Sequence, residues 1–329
     1  MDKLSAQFIT ALKNHDLETI KLVPKSDLHN HFVLSGHREF LKQKTNLNII
    51  PLTKPLESMD EMHKWVAENL GDHFHTSERR KLMIDAAFYQ AKMDGVKILE
   101  IGEDVWGLGE YFDYDIEELV NCFKKSHQQF APDIELRLQI GLSRHCSIPY
   151  LERCLEPFWD NDAFYSLDLY GDELSQPIEN FKSIYRKAKS KGLKVKAHVG
   201  EWGSAEDVRH AVEILELDEV QHGISAVASN DVMDYLRQNH IRLNLTPTSN
   251  ILLGRTKSYA EHPIGLLVEK GIDVTVNSDD LLIFDSDVSK EYLRLYESGV
   301  LSAKDLNLVR LNGLRKMDEH RIVNRDGNV

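Results

Sequence analysis

Short apolar runs recur along the chain, and segments with helical spacing separate them. The runs are SDLHNH (26–31), VKILEIGE (96–103), IELRLQIGLSR (134–144), AFYSLDLYG (163–171), LKVKAHVG (193–200), EVQHG (219–223), IRLNLTPTSN (241–250) and IDVTVNSDD (272–280). Their length and β-branched content predict eight strands. Between them, SERRKLMIDAAFYQAKMDG sets Leu82, Met83, Ala86, Tyr89 and Met93 on one side of a helix that stops at Gly95. SAEDVRHAVEILEL opens with Ser204 as predicted N-cap and acids in the first turn, followed by a stripe of Val208, Ala211, Val212 and Leu215. SNDVMDYLRQNH repeats that arrangement with Ser229 as cap. Strand–helix alternation repeated eight times predicts an α/β protein, a single (β/α)8 TIM-type barrel domain over residues 1–329. A doubly wound parallel sheet is the alternative, but its first strand would lead into a glycine-rich phosphate turn. Here the first strand ends in His29-Asn30-His31.

The connection 38–95 is longer than one crossover helix needs, which predicts extra helices between strands one and two. Within it, LESMDEMHKWVAENL puts Met59, Met62, Trp65, Val66 and Leu70 at helical spacing. Such a helix either packs on the barrel or lies over its mouth as a lid with Trp65 facing a ligand. The two are compatible.

Bulk properties narrow the function classes. Hydrophobic content of 42% and charged content of 28% are those of a globular chain with a sizeable core. A net charge of −13 argues against nucleic acid or an anionic membrane as main partner, since either requires a basic face. Cys122, Cys146 and Cys154 have no framework spacing, the N-terminus has no apolar signal core, and no run approaches the ~20 apolar residues of a membrane span. A soluble cytoplasmic protein is expected, with the oligomeric state left open.

The chemistry collects at the ends of the predicted strands, where parallel barrels build their active sites. Strand one ends in His29 and His31, strand five in His198 with Glu201 three residues on, strand six in His222, and strand eight in Asp279-Asp280. Each alone has an ordinary explanation as a turn, a cap or a hydrogen-bonded histidine. Their coincidence at equivalent strand ends does not. Three neutral imidazoles and a carboxylate form an N3O environment for a zinc-class divalent ion with a position left for water. Glu201 is placed to shuttle a proton if burial raises its pKa, and His222 and Asp280 to orient hydroxide and substrate. A second HxH pair, His73 and His75, lies in a polar stretch with no carboxylate at a strand end and reads as surface or lid. Arg144 and His145, after strand three, read as structural hydrogen-bonding residues.

From PKSDLHNH through LDLYGDE, HVGEWGSAEDVRHAVEILELDEVQHG and PTSN followed by EHP, to VNSDD, the chain resembles the adenosine deaminase family of the amidohydrolase superfamily. The resemblance implies one zinc ion per chain, or another divalent ion, held by His29, His31, His198 and Asp279. It implies that Glu201 protonates the purine ring nitrogen N1 as metal-bound hydroxide adds to the adjacent carbon. His222 would deprotonate and orient the water, Asp280 would meet N7, and the backbone N–H of Gly171 would meet the ring, with Glu173 in the same motif. The implied reaction is hydrolytic removal of an exocyclic amine, as ammonia, from a small-molecule aminopurine nucleoside or base resembling adenosine or deoxyadenosine.

Substrate-side positions depart from the family pattern. Val33 stands where an acid usually recognises the ribose, Leu34 where glycine is usual, and Gly102 where arginine is usual. Thr246 replaces a cysteine and Leu281 a proline. Ser35 or His37 would have to replace the acid missing at Val33. Adenine, a modified adenine or another amino-heterocycle therefore stands beside adenosine as substrate. An esterase, lactonase or phosphotriesterase is a rival reaction class, but such enzymes commonly hold two metals bridged from strand four, where AFYSLDLYG offers no terminal lysine. An inactive binding barrel is the remaining alternative.

Overall fold

The computed structural model describes residues 2–56 and 58–315, apart from the side chains of Met59 and Asp72. The ends of the expected 1–329 domain and Met59 of the predicted apolar stripe therefore lie outside what is described. Among the described residues, eight parallel strands run in sequence order around one sheet: β1 (Lys25–Asp27), β2 (Val96–Asp104), β3 (Glu135–Ser143), β4 (Phe164–Tyr170), β5 (Lys194–Val199), β6 (Glu219–His222), β7 (Arg242–Leu245) and β8 (Val274–Val276). The sheet is a nearly closed (β/α)8 barrel, as expected. Past the last residues of β1 and β8, an isolated parallel bridge joins Asn30 to Asp279, with Asp279 N–H donating to the His29 carbonyl at 3.0 Å. The Asn277 side chain supplies a further link, its Oδ1 accepting from Leu28 N–H at 2.8 Å. Closure therefore falls on the two segments that carry His29, His31 and Asp279.

Several strands are shorter than the apolar runs suggest. The run 241–250 ends as a strand at Leu245, because Pro247 cannot donate to a ladder; it opens the helix Pro247–Leu252 instead. Ser204 caps the helix Ala205–Leu215 in a capping box with Asp207, and Val208, Ala211, Val212 and Leu215 are buried. Ser229 caps Asn230–Gln238 as expected. The helix Ser77–Met93 departs in part from the predicted stripe: Met83 and Ala86 are buried as expected, but so are Ile84, Ala87, Phe88 and Ala91, and Met93 is exposed. The helix is sandwiched between the barrel and neighbouring helices, so its buried arc is wide and rotated from the one Leu82, Tyr89 and Met93 would mark. No helix among the described residues is long and apolar enough to cross a membrane.

The barrel interior is polar beneath the mouth. Lys196, fully buried, sits 2.9 Å from Glu100 and 3.0 Å from Glu219, and donates to the Leu28 carbonyl at 3.1 Å. Burial opposes its charge, but the two carboxylates outweigh that and hold it protonated. Asn244 completes the layer by donating to Glu219 at 2.7 Å and Gln221 at 2.8 Å. These bonds tie β2, β5, β6 and β7, with Leu28 after β1, together under the mouth.

Candidate active site

At the C-terminal mouth, a cavity of about 320 Å³ is lined by His31, His198, His222, Glu201, Asp279, Asp280 and Gly171, among others. It lies at the small end of the ~300–1,000 Å³ typical of ligand sites. His29 sits just behind it, with its ring 5.6 Å from His31, 4.6 Å from His198 and 4.5 Å from His222. Alternation along an extended segment aims both His29 and His31 at this point.

His29 and His198 are each oriented by their other nitrogen. His29 Nδ1–H donates to the Asn244 carbonyl at 3.1 Å, which leaves Nε2 a bare lone pair, and that atom is buried with no hydrogen-bond partner. His198 Nδ1 lies 3.4 Å from Asp168 Oδ1. The Nε2 atoms of His31 and His198 face each other at 3.3 Å, and those of His29 and His31 each lie 3.7 Å from Asp279 Oδ1. Burial, with neighbouring imidazoles, drives the His31 pKa down to about 3; burial takes His198 to about 4, and both remain neutral at physiological pH. Converging lone pairs repel unless a cation sits among them. Their separations approach the about 3.3–3.5 Å edge of a tetrahedron with ~2.0–2.1 Å metal–nitrogen bonds. Two overlapping groups, His29–His31–Asp279 and His29–His198–His222, each bring ligand atoms close enough to share a zinc-class ion, and His198 faces His31 at the same kind of spacing, so His29, His31, His198 and Asp279 fit such an ion.

Glu201 and His222 meet beside this cluster, with Glu201 Oε1 3.5 Å from His222 Nδ1. Asn250 Nδ2 donates to the same Glu201 oxygen at 2.9 Å, and Thr246 Oγ1 lies 3.0 Å from His222 Nδ1. Burial first, then the Asp279 and Glu173 charges, raise the Glu201 carboxyl well above its ordinary range. Asp280 is raised likewise by burial, Asp279 and Glu201, and its Oδ1 is buried without a partner.

The Glu201 backbone is fixed from below. Glu173 accepts three successive N–H groups, from Gly200 at 2.6 Å, Glu201 at 3.1 Å and Trp202 at 2.7 Å, a nest in which a carboxylate replaces a bound anion. Gly200 makes the turn at φ +75°, where an added Cβ would strike Val208. Two ends of strands carry the same left-handed backbone without glycine: His222 at φ +64° and Asp279 at φ +56°.

The outer wall differs from the expectation in one element. The helix Met59–Asn69 borders the cavity through Met62, His63 and Val66, whereas Trp65 is turned into the apolar core and does not line it. The predicted stripe is wide enough to have two sides, and Trp65 occupies the one facing the barrel. Val33, Leu34 and Leu253 complete an apolar lip with Met62 and Val66. Neither Ser35 nor His37 replaces an acid at Val33: Ser35 donates to the His31 carbonyl at 2.7 Å, and His37 caps a helix by accepting from Phe40 N–H at 3.2 Å. Opposite, Glu103 pairs with Arg80, the one permanent cation among the described lining residues, and Ser143 bonds Asp104. His73 and His75 are exposed. Arg144 donates to the Gln176 carbonyl at 3.0–3.1 Å, whereas His145 lines the cavity.

Sequence reasoning left Asp168, Thr246, Asn250 and His262 without roles at the site, although LDLYG, PTSN and EHP stood out as motifs. Inward alternation on β4 was the available signal for Asp168.

Comparison with known proteins identifies the family and the fold. The family model described as adenosine deaminase matches residues 87–318. A putative adenosine/adenine deaminase of Treponema pallidum is 31% identical over 286 residues, covering 87% of this chain and 95% of its own. Among solved structures, an adenine deaminase of Arthrobacter aurescens superposes with a TM-score of 0.77 at 22% identity, covering 91% of this chain and 96% of that one. An amidohydrolase from Burkholderia ambifaria, solved with bound Zn, gives 0.75 at 18% identity over 99% of this chain and 92% of its own.

Proposed function

Because the chain belongs to the adenosine deaminase family, and so is a hydrolytic deaminase of adenine-like compounds, we propose that it is a zinc enzyme acting on neutral, unphosphorylated aminopurines. The observation that carries this reading is the convergence of His29, His31, His198 and Asp279 on one point beside Glu201, His222 and Asp280. The first four would hold the metal, which when bound supplies an activated water at neutral pH. The other residues do the remaining work. Glu201, protonated by virtue of burial, delivers its proton to the ring nitrogen beside the amine-bearing carbon, which turns that carbon into a better electrophile. Asp280, with an unpartnered Oδ1, meets the second ring nitrogen, and Gly171 offers a backbone N–H to the ring. As the water oxygen bonds to that carbon, the C–N bond to the exocyclic amine breaks, and the departing nitrogen takes up the proton that the added hydroxyl gives up, so the carbonyl product and ammonia account for every atom of substrate and water.

The lining supports a preference among purines. Arg80 is neutralised by Glu103, so a phosphate would find no free cation among the described lining residues. The apolar lip at Val33 offers ribose hydroxyls no partner, and a buried unpaired hydroxyl costs roughly 1–3 kcal/mol. Adenine, or an adenine with an apolar substituent, is therefore favoured over adenosine, and adenosine over its monophosphate. Residues 1–329 are read as one working domain, and the unpaired Cys122, Cys146 and Cys154 support a reducing cytoplasmic setting.

Ammonia release from adenine, adenosine, deoxyadenosine, adenosine monophosphate and N6-substituted purines, with metal analysis of the same protein, tests the reading. About one zinc per chain and turnover in that order of preference are expected. Silence across the panel from zinc-loaded protein would overturn it.

A further inference from the structure

A buried hydrogen-bond row runs behind Glu201 and His222, and its direction is set at one end by a group that cannot reverse. Ile264 N–H donates to His262 Nδ1 at 3.1 Å. That nitrogen must be the bare one, and since His262 is almost wholly buried and kept neutral, the ring proton sits on Nε2. His262 Nε2–H then donates to Asn250 Oδ1 at 3.2 Å. This fixes the orientation of the Asn250 amide. Its two N–H bonds turn to Glu201 Oε1 at 2.9 Å and His222 Nδ1 at 3.3 Å. A flipped amide would set its N–H bonds against that of His262 and leave His222 Nδ1 without a donor from Asn250. The Thr246 hydroxyl, 3.0 Å from His222 Nδ1, can only donate to a nitrogen already accepting from Asn250.

We infer that His262 is a positioning residue that acts through Asn250 to fix the proton arrangement of the Glu201–His222 pair. Neutral His222 carries its proton on Nε2, on the far side of the ring from Asn250, and so meets the attacking oxygen as a hydrogen-bond donor. Glu201 has one oxygen committed as an acceptor, which leaves the other to carry the proton into the cavity. The role of Glu201 is that proposed above, and the inference rests on it. Of the two tasks that the family resemblance implies for His222, it keeps one: His222 aligns the oxygen, and the water's proton leaves to bulk solvent before substrate binds. Four side chains from separate segments, His262, Asn250, Glu201 and His222, act as one unit whose polarity originates in a backbone N–H.

The test is ring-nitrogen NMR of the zinc-loaded protein labelled with ¹⁵N-histidine, alongside kinetics of His262→Leu and His262→Gln. In the unsubstituted protein, His262 and His222 should both show a bare Nδ1 and a protonated Nε2. A protonated Nδ1 on either ring overturns the inference. His262→Leu, which cannot donate, should keep its zinc and KM but lose about 10- to 100-fold in kcat. His262→Gln, whose amide can reach the place of Nε2–H, should return to within about threefold of the unsubstituted enzyme. A Gln variant as impaired as the Leu variant would show that the ring merely fills space, and undiminished kcat in His262→Leu would also end the idea. The NMR pattern needs no turnover, so it decides this inference even if no aminopurine proves to be a substrate. It also decides it if His262→Leu fails to fold.

Discussion

The floor of the cavity and its lip are built on opposite principles. On the floor, His29, His198, Glu201 and His222 each have a polar partner that fixes the ring or carboxyl. On the lip, Val33, Leu34, Met62, Val66 and Leu253 are held by packing alone. A directional network specifies one geometry and tolerates little change, whereas apolar contacts accept neighbours of similar volume. In the proposed reading, reaction chemistry belongs to the floor and substrate preference to the lip.

This division can be attacked in order of expected effect. We predict that His198→Ala loses both the zinc and more than about 10⁴-fold in kcat/KM; an active variant with full metal content would remove the floor's central assignment. Glu201→Gln should retain zinc and lose about a thousandfold in kcat, measured as ammonia release. Undiminished turnover would strip Glu201 of its proton. Glu173→Gln keeps the shape but weakens the grip on three N–H groups, so about a hundredfold loss in kcat with zinc intact is expected. On the lip, Val33→Asp should leave the chemistry in place and raise the preference for adenosine over adenine about tenfold. An unaltered ratio would mean that ribose does not pass Val33.

The smallest effect concerns stability. Burial raises Asp104 from 3.8 to about 7. Between those values the unfolded chain is ionised while the native carboxyl still holds its proton, so the native state loses stability as pH rises through that window. Asp104→Asn lacks this penalty. Its melting temperature should gain on the unsubstituted protein by on the order of 2–4 °C between pH 4.5 and pH 8. A constant offset across that range would show that Asp104 ionises freely.

The barrel was legible because eight strand–helix alternations leave few topologies, and the metal-type cluster because its members fall at equivalent strand ends. Two HxH pairs show why position mattered more than spacing. His29 and His31 follow an inward-facing strand and meet Asp279, whereas His73 lies within a short 3-10 turn, Gly71–Phe74, His75 follows it, and both stay exposed. What sequence could not reveal was phase and reach. Trp65 and Met62 share one apolar stripe, and only packing decides which of the two faces the cavity. Asn250 and His262 are twelve residues apart with no periodicity linking them, and their contact exists only because the chain turns back after the helix Pro247–Leu252. Asp168 needed the barrel's register before it could be placed under His198.

The left-handed backbone at His222 and Asp279 limits what selection for heat tolerance can gain. A side chain in that region costs on the order of 1 kcal/mol that glycine would not. Neither position can take glycine and keep its imidazole or carboxylate. Both side chains are buried, so glycine would relieve that strain only by opening a cavity in their place, and laboratory selection for thermal endurance would find no gain at these two sites that did not also cost packing.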